Sequence, residues 1–346
     1  MSRFPIDLIS DTSTRPSAGM LQAMANAETG DEQRGEDPTT LALCERMADM
    51  LGMEAAIFLP SGTMCNLISF LVHCRPGDEI LAAENAHIVR SEGAGASALA
   101  GAQIRGIPTP SGIFTAEHIV ARLNRKRDRA PVSRLISVEQ TSNSGGGTIW
   151  PLETLRNLVA LKQERDLILH MDGARLLNAT TASGIAPSDM CHGFDSVWVD
   201  LSKGLGCPVG AVLAGSKDFI ARAWGWKHRL GGAMRQSGVI AAAGLHALNN
   251  NIDRLSQDHE NARQLASLLP DVPGVRVYPE VPETNILFLD IAGSGQNTTQ
   301  IASKLAEHGI RLNAEGDTLF RAVTHLDISE DQIHQAAKSI AEIFAD

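Results

Sequence analysis

From residue 55 onward, short apolar runs alternate with longer amphipathic stretches, and this alternation limits the possible folds more than any other feature. The runs Ala55–Leu59, Glu79–Ala82, Gln103–Ile107, Arg134–Val138, Leu167–Met171, Ser196–Val199 and Ala211–Leu213 have the length and character of buried strands. Between them, Thr63–Cys74, Thr115–Asn124, Pro151–Lys162 and Ala174–Ala182 read as helices. Parallel strands need a crossover of about a dozen residues, which a helix supplies. The pattern therefore predicts an α/β fold whose seven-stranded sheet is mostly parallel, with helices on both faces.

Past Lys217 the character changes. Ala241–Leu248 and Ile252–Leu269 are helical, Val275–Tyr278 and Asn285–Asp290 extended, Thr298–His308 helical, Thr318–Thr324 extended and Ser329–Ala345 helical. This tail predicts a smaller α+β domain. Residues 1–50 differ again, with an extended Ile6–Ser10, a helix near Met20–Ala27 and a polar loop Gly30–Pro38. The expected division is 1–50 as a segment packing on a partner subunit and the small domain, 51–250 as a large domain, and 251–346 as the small domain.

Composition narrows the function. A net charge of −10 over 346 residues argues against broad binding to nucleic acid. The short basic cluster Arg125, Lys126, Arg127 and Arg129 reads as a solvated loop. Five cysteines, an odd number with no CxxC pair, suggest a reducing compartment rather than a disulfide framework or zinc site, and no metal is expected. No apolar run approaches membrane-spanning length, and the first residues carry no apolar leader core, so a cytoplasmic location is the expectation.

Three segments could carry chemistry. Asp172 directly follows the run Leu167–Met171, at the strand edge where open α/β sheets bind ligands. A carboxylate there can hold a charged ring nitrogen, although an N-cap on the following helix is an equal reading. Lys203 follows a strand and precedes Gly204 and Gly206, a setting suited to a partly desolvated amine; a surface lysine remains open. The segment Phe58-Leu-Pro-Ser-Gly-Thr63 runs from strand into helix, so it is either an anion cradle or a well-capped helix. Neither GxGxxG nor a P-loop occurs, which disfavours nucleotide cofactors.

Taken together with Gly35-Glu-Asp-Pro-Thr39, Asp172-Gly-Ala-Arg175, Leu201-Ser-Lys-Gly-Leu-Gly206 and Gly231-Gly-Ala-Met-Arg-Gln236, the chain resembles the L-threonine aldolases. These are fold-type I, aspartate aminotransferase-like enzymes that use pyridoxal 5'-phosphate. The resemblance runs from Ile6 to Asp327. It implies that Lys203 carries the cofactor, Asp172 pairs with its ring nitrogen and His87 stacks on the ring. Ser61, Gly62 and Thr63 would hold the phosphate, with Arg235 reaching in from a neighbouring subunit. Arg175 would sit beside the cofactor and substrate carboxylate, and Ser10 and Arg321 would clamp that carboxylate. The implied reaction is retro-aldol cleavage of an L-β-hydroxy-α-amino acid to glycine and an aldehyde. β-Elimination or racemisation of a related amino acid is the alternative. A homo-oligomer is implied, a dimer of site-sharing subunits or a tetramer.

Three positions depart from the family pattern. The family's Glu-Asn-Thr-His-Asn reads Glu139-Gln-Thr-Ser-Asn143, so Ser142 stands for a histidine and cannot serve unaided as a base. Arg34 replaces a tyrosine and Ser91 an aromatic residue. All three are expected to face the substrate side chain, with Arg34 admitting a polar or anionic one.

Overall fold

The computed structural model describes residues 4–124 and 129–345; Arg125, Lys126 and Arg127 of the basic cluster lie outside them. The strands, in chain order, are β1 (Ile6–Asp7), β2 (Ala55–Leu59), β3 (Asp78–Ala83), β4 (Gln103–Ile107), β5 (Val132–Glu139), β6 (Ile168–Gly173), β7 (Ser196–Asp200) and β8 (Ala211–Gly215). They continue with β9 (Arg276–Tyr278), β10 (Ile286–Asp290), β11 (Ile310–Arg311), β12 (Asn313–Ala314) and β13 (Leu319–Val323). Each of the seven apolar runs forms a strand, and together they build one seven-stranded sheet in the order β2-β8-β7-β6-β5-β3-β4. Neighbours from β7 to β4 pair in parallel, whereas β8 runs antiparallel to both β7 and β2. That antiparallel pair needs no crossover helix, which is why only a loop containing Lys203 joins β7 to β8.

Strands β3, β7 and β8 are buried along their whole length, as a sheet covered on both faces requires. A large core surrounds this sheet, with Phe58, Phe114, Trp150 and Leu169 fully enclosed. A second core forms between the antiparallel sheet β12-β13-β10-β9 and the helices Leu255–Ser267, Thr298–Glu307 and Glu330–Ala345. Ile6 and Leu8 belong to this second core, because β1 pairs in parallel with β11. The chain thus begins in the C-terminal sheet region before it enters the large sheet.

Boundaries differ from the sequence reading where caps decide them. The helix expected over Thr115–Asn124 shrinks to Ala116–Val120, and the extended Ile6–Ser10 gives way to a tight turn, Asp11–Ser13. A helix over Pro38–Leu51, not expected from the sequence, follows the polar loop. Its cap is Asp37, and Pro38 at the first helical position suits the fixed φ of proline. No helix of the described residues is long and apolar enough to cross a membrane. All five cysteines are free thiols.

The buried Asp37 carboxylate joins three segments, accepting from the N–H groups of Thr40 at 2.8 Å, Gly30 at 3.1 Å and Gly238 at 3.0 Å. Replacing it by alanine removes the cap and leaves buried donors unpaired. Asp37→Ala is expected to cost about 2–4 kcal/mol in urea unfolding.

Candidate active site

The carboxyl ends of three adjacent parallel strands deliver three acids to one edge of the sheet. Glu139 ends β5, Asp172 lies one residue from the end of β6 and Asp200 ends β7, with Glu139 and Asp172 as register partners. Asp172 is clamped from two sides: its Oδ1 accepts from Ala174 N–H at 3.1 Å, and its Oδ2 from Asn66 Nδ2 at 2.9 Å. Asp200 Oδ1 accepts from the Ser202 N–H at 2.7 Å and from its hydroxyl at 2.8 Å. Its other oxygen lies 3.0 Å from Lys203 Nζ.

Opposite these strand ends begins the helix Gly62–His73. The Ser61 hydroxyl caps it by accepting from Met64 N–H at 3.3 Å. The Gly62 and Thr63 amides have no acceptor within the helix, so this end is built to meet an anion. Gly62 lies so close to the Trp198 indole that a Cβ there would come within 2.2 Å of the ring. Glycine is needed for that contact.

His87 opens a short helix after β3. Its N–H donates to Glu139 Oε2 at 2.6 Å and its Nδ1 is 2.9 Å from Glu92 Oε1. The Glu92 hydrogen bond raises the imidazole pKa, against burial and with the help of Asp172. Burial pushes the Glu139 and Glu92 carboxyls up, and the nearby Asp172 charge adds to both shifts.

The third wall is cationic. Arg175 holds Asp11 in a bidentate pair, Nε to Oδ2 at 2.7 Å and Nη2 to Oδ1 at 2.8 Å. The Asn143 side-chain carbonyl accepts from Arg175 Nη1 at 3.3 Å and from Arg321 Nη1 at 3.0 Å. Arg321 also reaches Ile9 O at 3.4 Å, while its buried Nε has no hydrogen-bond partner among the described residues.

These walls enclose a cleft of about 270 Å³ that brings together Ser10, Ser61, Gly62, Thr63 and His87 with Asp172, Arg175, Lys203 and Arg321. Four other sequence-derived candidates are not in it. Arg34 is 73% exposed and lies 3.7 Å from Asp31. Its neighbour Glu32 turns inward to the buried Lys227, and the tight turn Glu32–Arg34 therefore carries Arg34 outward. Arg235, 62% exposed, pairs with the same Asp31 at 2.9 Å. Ser142 is buried and its hydroxyl packs so closely on Gly112 that a Cβ there would meet it at 2.0 Å. Ser91 is exposed after the helix His87–Arg90. The expectation that Arg34, Ser142 and Ser91 share one surface over the substrate therefore does not hold within this chain. Nor are the Arg175 donors open, since Asp11 takes two of them.

Asp11, Asn66, Glu92 and Asn143 contribute to the cleft or its support without having been singled out from sequence. Asn143 closes the segment Glu139–Asn143, and Asp11 and Glu92 directly follow Ser10 and Ser91, but the partners of all four are set by the fold. Among the described residues no cluster of three or more His, Cys, Asp or Glu side chains is arranged to hold a metal ion.

Burial alone would raise the Asp11 carboxyl, but the Arg175 charge and hydrogen bonds, with Lys203 and Asn285, hold it well below the carboxylate range. A depressed folded pKa contributes stability above the unfolded value of about 3.9 and loses it as pH falls from there. Asp11→Ala, which strands the buried Arg175, is expected to cost about 3–5 kcal/mol at neutral pH. Urea unfolding at stepwise lower pH should show the gap to the unmodified protein closing below about pH 4.

Known proteins are similar to this chain over nearly its whole length. Residues 7–294 match the family described as beta-eliminating lyase. The low-specificity L-threonine aldolase of Escherichia coli (strain K12) is 39% identical over 333 residues, 96% of this chain and 97% of that protein. The low-specificity L-threonine aldolase 1 of Arabidopsis thaliana is 40% identical over 334 residues, 95% of this chain and 93% of that one. A solved threonine aldolase from Leishmania major shares the fold, with a TM-score of 0.83 at 21% identity over 98% of this chain and 100% of the other. The α/β architecture is that of the fold-type I enzymes, and the chain belongs to the beta-eliminating lyase family, among its low-specificity threonine aldolases.

Proposed function

We propose that this chain is a pyridoxal-phosphate-dependent carbon–carbon lyase. It cleaves an L-β-hydroxy-α-amino acid of the threonine or allo-threonine type to glycine and an aldehyde, as a cytoplasmic homo-oligomer. The observation that carries this reading is one cleft holding an amine at Lys203, a strand-end carboxylate at Asp172, a helix-start anion cradle and a buried arginine.

The donor set fits the cofactor. Gly62 lets the helix start sit against the Trp198 indole, which leaves its amides at the cleft, and the Nε of Arg321 is a buried donor still lacking an acceptor. Lys203 would hold the cofactor covalently, Asp172 its ring nitrogen, and Ser61, Gly62 and Thr63 its phosphate, with Arg235 contributed by a neighbouring subunit. When bound, pyridoxal phosphate supplies an electron sink for the charge left on Cα as a bond to it breaks.

The chain's own residues do the rest. Arg321 and Ser10 bind the substrate carboxylate, and the guanidinium orients the amino acid so that its Cα–Cβ bond is presented for cleavage. Arg175, tied to Asp11, acts by holding Asn143 against Arg321. The β-hydroxyl must lose its proton as the bond breaks. Ser142 is no base and is buried away from the cleft, so His87 takes that proton, directly or through water.

Glycine release should be measured with both threonine diastereomers, phenylserine, hydroxyaspartate and serine. Glycine in step with an aldehyde, lost in Lys203→Ala, is the expected result. Keto acid without glycine would replace this reading by β-elimination, and D-amino acid without glycine by racemisation. Arg321→Ala removes charge-assisted hydrogen bonds and is expected to lower kcat/KM by about 10- to 100-fold. An unchanged value would remove Arg321 from the carboxylate site.

A further inference from the structure

A fully buried amide links the two sides of the cleft. Asn66 lies on the second turn of the helix Gly62–His73. Its Nδ2 donates to Asp172 Oδ2 at 2.9 Å and to Glu92 Oε1 at 2.8 Å. Its Oδ1 faces the Trp198 indole Nε1 at 2.7 Å and His170 Nε2 at 3.0 Å. An indole nitrogen can only donate, so the amide oxygen must point to it and the NH2 group must point to the two carboxylates. The amide therefore has one permitted orientation.

That orientation fixes its neighbours. His170 donates through Nε2; burial holds its pKa down to about 3, so the ring is neutral and its Nδ1, 2.8 Å from Ser196 Oγ, is left to accept. Glu92 is held by Asn66 on one side. The same oxygen, Oε1, meets His87 Nδ1 at 2.9 Å on the other. A carboxylate oxygen accepts only, so the proton on that contact belongs to Nδ1 of His87.

We propose that Glu92, anchored by Asn66, is a positioning residue that keeps the proton of His87 on Nδ1 and leaves Nε2 as the ring nitrogen able to exchange a proton. This rests on the reading of His87 as the proton acceptor, but the geometry of the pair does not. The charged groups facing it come from three elements. Glu92 itself follows the helix His87–Arg90, Asp172 lies on β6 behind Asn66, and Glu139 on β5 accepts the His87 N–H. Lys203 and Arg175 line the same cleft without being among the hydrogen-bond partners of the pair. Among these facing groups all three are acidic. Removing one negative charge in direct contact should therefore weaken proton binding at His87.

The test uses the full-length, cofactor-loaded protein with ¹⁵N-labelled histidine, the His87 signal being identified by its loss in His87→Asn. Glu92→Gln keeps an oxygen that can accept from both Asn66 and His87 and removes only the charge. The His87 titration midpoint is expected to fall by about one pH unit, a tenfold loss of proton affinity. Glu92→Asp, which retains the charge, should restore most of that fall. The acidic limb of the kcat/KM profile for glycine release should move with the midpoint. An unmoved midpoint in Glu92→Gln overturns the proposal, as does a Glu92→Asp midpoint as low as that of Glu92→Gln. A midpoint that moves while the kcat/KM profile only drops uniformly also overturns it, because His87 would then not be the group whose proton matters. A protein releasing no glycine would defeat the proposed function, while the titration would still read the contact between Glu92 and His87.

Discussion

The buried pair between Asp11 and Arg175 is the contact on which the cleft depends. It joins the N-terminal segment to the connection that follows β6, and Asn285, just before β10, donates to the same Asp11 carboxylate at 3.2 Å. Three separate stretches of chain meet there. Through Asn143 the pair also sets the position of Arg321 on β13. Taking two such charges out of water is costly, and their attraction offsets that cost only with good geometry. The parallel, two-point contact provides it. The gain is in specificity: an N-terminal segment placed elsewhere would leave a buried guanidinium unpaired.

The same balance governs the rest of the cleft. Strand ends bring Glu139, Asp172 and Asp200 side by side, and Glu92 adds a fourth acid. Such a group of like charges is tolerable only when each member is hydrogen-bonded. Glu139 accepts from two backbone amides, Asp172 from an amide and Asn66, Asp200 from Ser202 and Lys203, and Glu92 from Asn66 and His87. Donors supplied by backbone and neutral side chains do not themselves move protons, so apart from the contact of Asp200 with Lys203, the pair of Glu92 and His87 is where proton affinity is adjustable.

The site was legible in sequence where one residue's role follows from its place in a strand or helix. Asp172 stands out because it directly follows a buried apolar run, Lys203 because it lies just past another and before two glycines, and the segment Ser61-Gly-Thr63 because it begins a helix. Arg34 and Ser142 were less legible, since a departure from a family pattern says which residue changed but not which way it points. In the fold the inward turn of Glu32 sends Arg34 outward, and the Gly112 turn covers Ser142. Asn66 and Glu92 had no local signature at all. Their partners lie 106 and 26 residues from Asn66 in the chain, and an asparagine within an apolar helix has many ordinary uses.

The sequence by itself determined the alternation of strand and helix, and with it a mostly parallel sheet whose carboxyl edge carries Asp172 and the loop of Lys203. It did so because hydrophobic periodicity and crossover length are local properties. Only the tertiary structure decided that Asp11 closes on Arg175, that Asn66 bridges two acids and that Arg34 leaves the cleft. Those outcomes depend on which distant donors and acceptors become buried together. A buried polar group must find its partner wherever the fold puts one.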